Sequence, residues 1–330
     1  MQPVFGDNGG DLVPLALIDN MNLKDIRPKW LNLLPDTFPQ LIDSKWGRYD
    51  RPIFFTSSNY GVDSLFAYGN DEKSGRKKFA TTHGIINEIR RLFGWGNNFS
   101  IISHACVSGG IGLDLAKKSL SDSNIMEALV FSFDFVSPFV AGGFHSLKIL
   151  NDQMPAPFSE KETGSISLGD GTAYCILSRE ETPYQFRSSH LFNEMDSFTG
   201  NHSSGFGFES VLLPVQKSTS DRLWIKGHGT GTLDAGRLEC QSCQNIFPDA
   251  PLVSWKAGIG HTLGSCAVVE LAIALESIKS GQIPGTTNST SPTMSPNVYQ
   301  NNFSANSYQE VLMLSNAFGG AHSAQLIRYE

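Results

Sequence analysis

Four glycine-rich segments hold the residues most able to do chemistry: SHACVSGG around Cys106, GHGTGT around His228, KAGIGH around His261 and NAFGGAH around Phe318. Cys106 stands at the turn from a short apolar run into a glycine-rich helical stretch. The first turn of a helix offers unsatisfied N–H groups and a partial positive charge, which favour a thiolate and can then hold an oxyanion. His228 is flanked by Gly227, Gly229 and Gly231, and His261 by Gly258, Gly260 and Gly264, with Lys256 five residues ahead. Glycines beside an imidazole leave room for a ligand, and the neutral ring can donate or accept a proton. One cysteine and two histidines on separate loops make a nucleophile with acid–base partners. Composition alone leaves hydrolysis, transfer and condensation open. The plain alternatives are a buried structural cysteine and two turn histidines.

Other candidates carry less. CQSC (Cys240, Cys243) has metal-like spacing, but no second ligand pair lies nearby, and Cys175 and Cys266 have no special setting, so no metal site is expected. GHGTGT lacks the GK[ST] ending of a phosphate loop and the spacing of a dinucleotide fingerprint. His83, His104, His145, His190 and His202 lack the glycine context.

The elements that must position these loops can be read from periodicity. Strands are expected over residues 51–59, 99–104, 127–136, 165–177, 223–226, 252–255, 311–315 and 325–329. Helices are expected over 81–92, 108–120, 238–246 and 264–277, the last with Val268, Leu271, Ala272 and Leu275 on one face. Residues 283–307, rich in Pro, Asn, Ser and Thr, read as an irregular surface excursion, and the first fifty residues show no clear period. Alternation of strands and helices predicts an α/β fold with parallel strands, whose reactive groups gather at strand C-termini. All four glycine-rich segments fall at such places.

Composition narrows the class further. The 330 residues carry 25 Lys+Arg against 32 Asp+Glu, a net charge of −7, with charged residues at 17% and 32 glycines. Few charges and many glycines predict close backbone packing and more covered surface than a monomer needs, hence an oligomer. An acidic chain without a basic stripe argues against nucleic acid as partner. No apolar run is long enough for a membrane span, MQPVFGDNGG lacks the features of a secretory signal, and five cysteines do not make a disulfide framework. The expected location is cytoplasmic, with reduced thiols.

Taken in order, SHACVSGG, GHGTGTLDAGRLE, SWKAGIGH and NAFGGAH resemble the β-ketoacyl synthases (ketosynthases) of the thiolase superfamily, on the side that uses a Cys-His-His triad. The likeness runs from about Phe99 to Glu330, with weaker matches in APFSEKETGSISLGDGTAYCILSRE and IPGTTNSTSP, and the spacing of Lys256 and His261 is that of the family's KxxxGH. The resemblance implies a five-layered αβαβα sandwich of two similar halves, residues 1–180 with Cys106 and residues 181–330 with the His228, His261 and Phe318 loops. It implies that Cys106 takes an acyl group from the phosphopantetheine arm of an acyl carrier protein, with no bound cofactor. His228 and His261 would then hold the thioester oxygen of a malonyl unit during decarboxylative Claisen condensation, in fatty acid or polyketide synthesis. Backbone N–H groups of Cys106 and Phe318 would form the oxyanion hole, Phe318 would gate the acyl pocket, and Gly319 and Gly320 would give the gate its freedom. Lys256, paired with Glu239, would orient the histidine loop. A second ketosynthase-like subunit, identical or different, is implied as partner.

The sequence departs from the family in several places. About fifty residues and a glycine-rich first strand are missing ahead of the nucleophile. Asp170 stands in GDG for the usual GEG, Gly236 where Asp is common (with Asp234 close by), and His322 for the Asn after the FGG turn. A shortened chain is also similar to partner subunits of type II polyketide and aryl-polyene-like systems. Chain-length factors lack the nucleophilic cysteine, so Cys106 favours activity over a non-catalytic partner role. A cysteine acyltransferase or hydrolase on the same scaffold is the third reading.

Overall fold

Runs of aromatic and branched residues form two sheets, and helices with an apolar stripe fill the space between them and cover their outer faces. The computed structural model describes residues 2–3, 12–18, 27–43, 45–161 and 163–330. Most of MQPVFGDNGG, read above for a leader, lies outside the described residues. In chain order, β1 (Gln2–Pro3) pairs with β2 (Leu12–Val13), and β3 (Leu15–Ala16) lies parallel to β7 (Leu168–Gly169).

The first main sheet has the order β5–β4–β6–β8, from β4 (Ile53–Thr56), β5 (Phe99–Ile102), β6 (Glu127–Asp134) and β8 (Gly171–Ser178). β5 and β6 run parallel to β4, β8 runs antiparallel to β6, and β5 is the edge strand nearest the nucleophile. The second sheet has the order β11–β10–β14–β15–β9, from β9 (Tyr184–Asn193), β10 (Leu223–Lys226), β11 (Leu252–Val253), β14 (Glu310–Ala317) and β15 (Ala321–Tyr329). A small pair, β12 (Gln282–Ile283) and β13 (Phe303–Ser304), brackets the irregular excursion.

Side-chain alternation along each strand sorts residues to two faces, and both faces are covered, which is why these strands read as near-continuous apolar runs. Inward, Phe54 and Val130 of the first sheet and Trp224, Val311, Met313 and Ile327 of the second meet Leu113 and Ala116 of α4 (Ser108–Ser119) and Val268, Leu271 and Ala274 of α9 (Cys266–Lys279). Outward from the first sheet, Phe55, Phe131 and Phe133 pack on α1 (Trp30–Thr37) and α3 (Thr82–Phe93). α2 (Val62–Asn70) and α5 (Pro138–Ser146) flank that end. Outward from the second sheet, Ile225, Leu312 and Leu326 pack on α6 (Phe206–Gln216) and α7 (Leu233–Ile246). The five layers expected from the resemblance are all present: helices, sheet, helices, sheet, helices.

Differences from the sequence reading have local causes. α7 starts five residues earlier than read, because its first turn, Leu233–Gly236, carries little hydrophobic signal. NAFGGAH is a hairpin between β14 and β15, which extend to pair Asn316 with His322, and buried Ser315, Asn316, His322 and Ser323 disguised those strands as loop. α1 and α6 contain Pro35 and Pro214, which mask a helical period. Among the described residues no helix is long and apolar enough to cross a membrane. All five cysteines are free.

The glycines of α4 set how deeply the nucleophile's helix seats between the sheets. Only Gly109 meets backbone, with a Cβ there 3.2 Å from the Gly264 carbonyl, whereas a Cβ at Gly110 or Gly112 would overlap Ser323 or Thr56 side chains. Gly112→Val is therefore expected to overpack this layer and cost about 3 kcal/mol, read as a lower urea midpoint at unchanged slope.

Candidate active site

Each chemically able side chain is aimed by a strained or pinned turn. Ala105 carries a left-handed φ of 45°, and Ser108 locks the turn by accepting from His104 N–H at 2.7 Å and donating to the Ala105 carbonyl at 2.7 Å. Cys106 thereby stands two residues ahead of α4, on the wall of a cavity. His261 follows the single turn of α8 (Lys256–Ile259) and is fixed on both sides: its N–H donates to Ser167 O at 2.7 Å, and Gly169 N–H donates to its carbonyl at 3.1 Å. At this crossing only glycine fits position 260, where φ is +74° and a Cβ would lie 2.5 Å from Gly169 N. His228 follows β10. Its N–H and that of Gly229 both donate to Glu239, the latter at 2.9 Å, while Ser254 Oγ donates to the Gly229 carbonyl at 2.7 Å.

These turns bring the three side chains together. His261 Nε2 lies 2.9 Å from Cys106 Sγ, and the His228 and His261 rings are 5.1 Å apart at 88°. All three line one cavity of about 510 Å³, with Thr230, Thr232 and Phe318 on its walls. Phe318 is stacked on Phe144 at 5.7 Å, at the tip of the β14–β15 hairpin, whose Gly319 and Gly320 have φ of +83° and +68°. Asp234 also lines the cavity. Asp170 instead accepts from the N–H groups of Val136 and Ile18, at 2.6 and 2.8 Å.

Burial governs the protonation states. It pushes the Cys106 thiol up, helped by the neighbouring Cys266 thiol, while the positive charge of Lys256 pulls the other way. The thiolate expected from the helix N-terminus is thus corrected to a resting thiol, because desolvation of the sulfur outweighs the charge around it. Burial, then the charge of Lys256, holds both His228 and His261 well below the ordinary imidazole range. The site rests as a thiol beside two neutral imidazoles, and His261 is placed to take the sulfur's proton.

The expected pairing of Lys256 with Glu239 is not what the structure shows. Lys256 Nζ lies 2.5 Å from Glu270 Oε1, and Lys226 Nζ pairs with Glu270 Oε2. Glu239 is occupied instead by the backbone of the His228 loop. Sequence reading missed Glu270, Lys226 and the role of Cys266, whose Sγ donates to the Cys106 carbonyl at 3.2 Å. The available signal was a charged residue inside an apolar element: Lys226 closes the strand LWIK, and Glu270 interrupts the helix CAVVELAIAL. His322 is buried against Glu194 at 3.1 Å and Asn316 at 3.3 Å. Asp134, at the end of β6, accepts from Ser57 Oγ at 2.7 Å, Ser58 N–H at 2.9 Å and Gly264 N–H, and burial raises it to about 6. Among the described residues no group of three or more His, Cys, Asp or Glu side chains is arranged to hold a metal ion.

Residues 211–290, which span the His228 and His261 loops, match the family described as beta-ketoacyl synthase, C-terminal domain. The ketoacyl synthase alpha subunit of the tetracenomycin polyketide synthase of Streptomyces glaucescens is 26% identical over 276 residues, 74% of this chain and 63% of that protein. The chain therefore spans less than two thirds of that relative's length. Among solved structures, a chain of the ketosynthase–chain length factor complex from Xenorhabdus doucetiae superposes with a TM-score of 0.81 at 19% identity, covering 98% of this chain and 88% of that one. Residues 211–290 thus resemble a ketosynthase C-terminal domain, and the chain as a whole has the fold of the solved ketosynthases. A beta-ketoacyl synthase from Burkholderia phymatum shares the ketosynthase fold, with a TM-score of 0.74 at 18% identity over 90% of this chain and 79% of that one.

Because Cys106 rests as a thiol, its alkylation by iodoacetamide is expected to rise about tenfold per pH unit between about pH 7 and 9. Peptide mass analysis after timed quenching reads this. A plateau already reached at neutral pH shows a thiolate instead.

Proposed function

We propose that the protein is a condensing acyltransferase that elongates an acyl chain on Cys106 by decarboxylative Claisen condensation with a malonyl thioester. The observation that carries this reading is the 2.9 Å contact of His261 Nε2 with Cys106 Sγ, with His228 in the same cavity. In the loading step Sγ attacks the acyl thioester carbon of a phosphopantetheine arm and its proton passes to His261. The pantetheine sulfur leaves, takes that proton, and an acyl–Cys106 thioester remains. The malonyl thioester then enters, and the neutral imidazoles of His228 and His261 donate hydrogen bonds to its carbonyl oxygen.

Those bonds stabilise the enolate formed as CO2 departs. Its carbon attacks the acyl–Cys106 carbonyl, the new carbon–carbon bond forms, and Cys106 leaves as thiolate and takes up a proton from solvent. Neutral rings suit this step, since they can donate to a developing oxyanion in a dry cavity, where each such donor is worth about 3 kcal/mol in comparable acyl-transfer sites. Backbone N–H groups of Cys106 and Phe318 serve the tetrahedral oxyanion, and Phe318, at the hairpin tip, is the gate. The acyl groups arrive on an acyl carrier protein, and a second ketosynthase-like subunit completes the assembly.

A second reading is a partner subunit that shapes the acyl tunnel of a full-length synthase. It is compatible with the overlap of 98% of this chain with a chain of a complex that holds both a ketosynthase and its chain length factor. Malonyl-carrier and acyl-carrier substrates supplied to the protein alone, and to the protein with a full-length synthase, separate the two readings. Activity of the protein alone that is lost in Cys106→Ala supports condensation. Activity found only in the mixture, and surviving Cys106→Ala, supports the partner role. Acyl release without CO2 points to an acyltransferase or hydrolase.

The contact geometry also separates the histidines. His261→Ala is expected to slow both acyl loading and malonyl decarboxylation by about 10² or more. His228→Ala, with no contact to the sulfur, is expected to spare loading while lowering decarboxylation by a similar factor. Intact-mass analysis for loading and CO2 release for decarboxylation check this, and an acyl adduct on any other cysteine overturns the assignment.

A further inference from the structure

We propose that Lys226 is a positioning residue: together with Lys256 it clamps Glu270 between the roots of the two histidine loops, one carboxylate oxygen to each lysine, and so sets the spacing of His228 and His261. The activity arm of this inference rests on the condensing reading above. Lys226 is the last residue of β10, two before His228, and Lys256 opens α8, five before His261. Glu270, on α9, joins Lys226 Nζ through Oε2 and Lys256 Nζ through Oε1. The side chains of Lys226, Lys256 and Glu270 are 0%, 1% and 1% exposed, so no solvent path lets them rearrange freely. Ser254 adds a cross-link, donating to Gly229 O and facing the Lys256 N–H.

One lysine is enough to neutralise Glu270. The second brings another amine into a buried space, beside Lys256, with Glu239 and Cys266 as its other charged or titratable neighbours. Buried ion groups of this kind are often less stable than apolar side chains of the same volume. Burial and the charge of Lys256 push Lys226 well below the ordinary lysine range, so its place in the core is held at a cost. The compensation is felt at the imidazoles. Burial first, then the charge of Lys256 and, behind it, that of Lys226, disfavours protonation of both rings, with His261 and His322 adding to this at His228. A clamp that spaces the rings and adds to the effect of burial on their protonation serves hydrogen-bond donation to a thioester oxygen.

The test compares wild type with Lys226→Met, which keeps the volume, and Lys226→Gln, which keeps a donor towards Glu270 without the charge. Three measurements are made on each: melting temperature, kcat and KM for malonyl decarboxylation, and NMR titration of the His228 and His261 rings. Lys226→Met is expected to melt at or above the wild-type temperature, yet to lose about tenfold in kcat with KM little changed, since small misplacements of reacting groups cost this much or more. Its imidazole titrations move to higher pH, and Lys226→Gln recovers part of kcat. Equal loss of melting temperature and activity in both variants, or unchanged kcat and unchanged titrations, overturns the proposal. If wild type itself neither loads nor decarboxylates, the condensing reading fails separately. The melting temperatures and ring titrations then decide the role of Lys226 on their own.

Discussion

A single contact, His261 Nε2 to Cys106 Sγ, joins residues 155 positions apart and drawn from different sheets. Its length is set by everything that fixes the two turns. Ala105 is held in a left-handed conformation by Ser108 on one side, and the backbone of His261 is stitched to the 167–169 segment on the other. The middle layer of α4 and α9 transmits position between the sheets, and its small residues allow the approach: Gly109 lies against Gly264 and Ala267. Packing at crystal-like density leaves such a layer little slack. The contact thus depends on a close fit between the sheets and the middle helices rather than on any one loop.

The second constraint is electrostatic. The floor of the site holds two lysines and a glutamate from three elements, and Asp134 ties loop 57–59 to Gly264 two residues before Cys266. Each carboxylate is satisfied by several donors from distant segments, so each acts as a joint between loops as well as a charge. Burial makes these joints expensive to leave unpaired and therefore geometrically exact in their demands. The same burial returns Cys106 to a thiol and both imidazoles to their neutral forms, which is a workable resting state for a nucleophile with an adjacent base.

Much of this was legible in the sequence, for physical reasons. Strands buried on both faces announce themselves as apolar runs, and the four glycine-rich loops stand out because close backbone approach needs glycine. Cys106, His228 and His261 were visible through those glycines. Lys226 and Glu270 were not, because each is a single charge within an apolar element, and the hydrophobic pattern around it carries no sign of a buried partner. Glu239 was given to the wrong partner because sequence shows a nearby acid but not the two backbone N–H groups that claim it. The β14–β15 hairpin was under-read for the opposite reason, its buried polar residues mimicking a loop.

The position of β5 has a mechanical consequence. It is the outermost strand of its sheet, pairing with β4 alone among the described residues, and it ends at Ile102, four residues before Cys106. One row of its main-chain donors and acceptors faces outward, ready to bond to another strand. A neighbouring polypeptide laid along that row would stiffen the very rod on whose tip the sulfur is mounted. The mechanical state of that edge would then be felt at Cys106 before it was felt anywhere else.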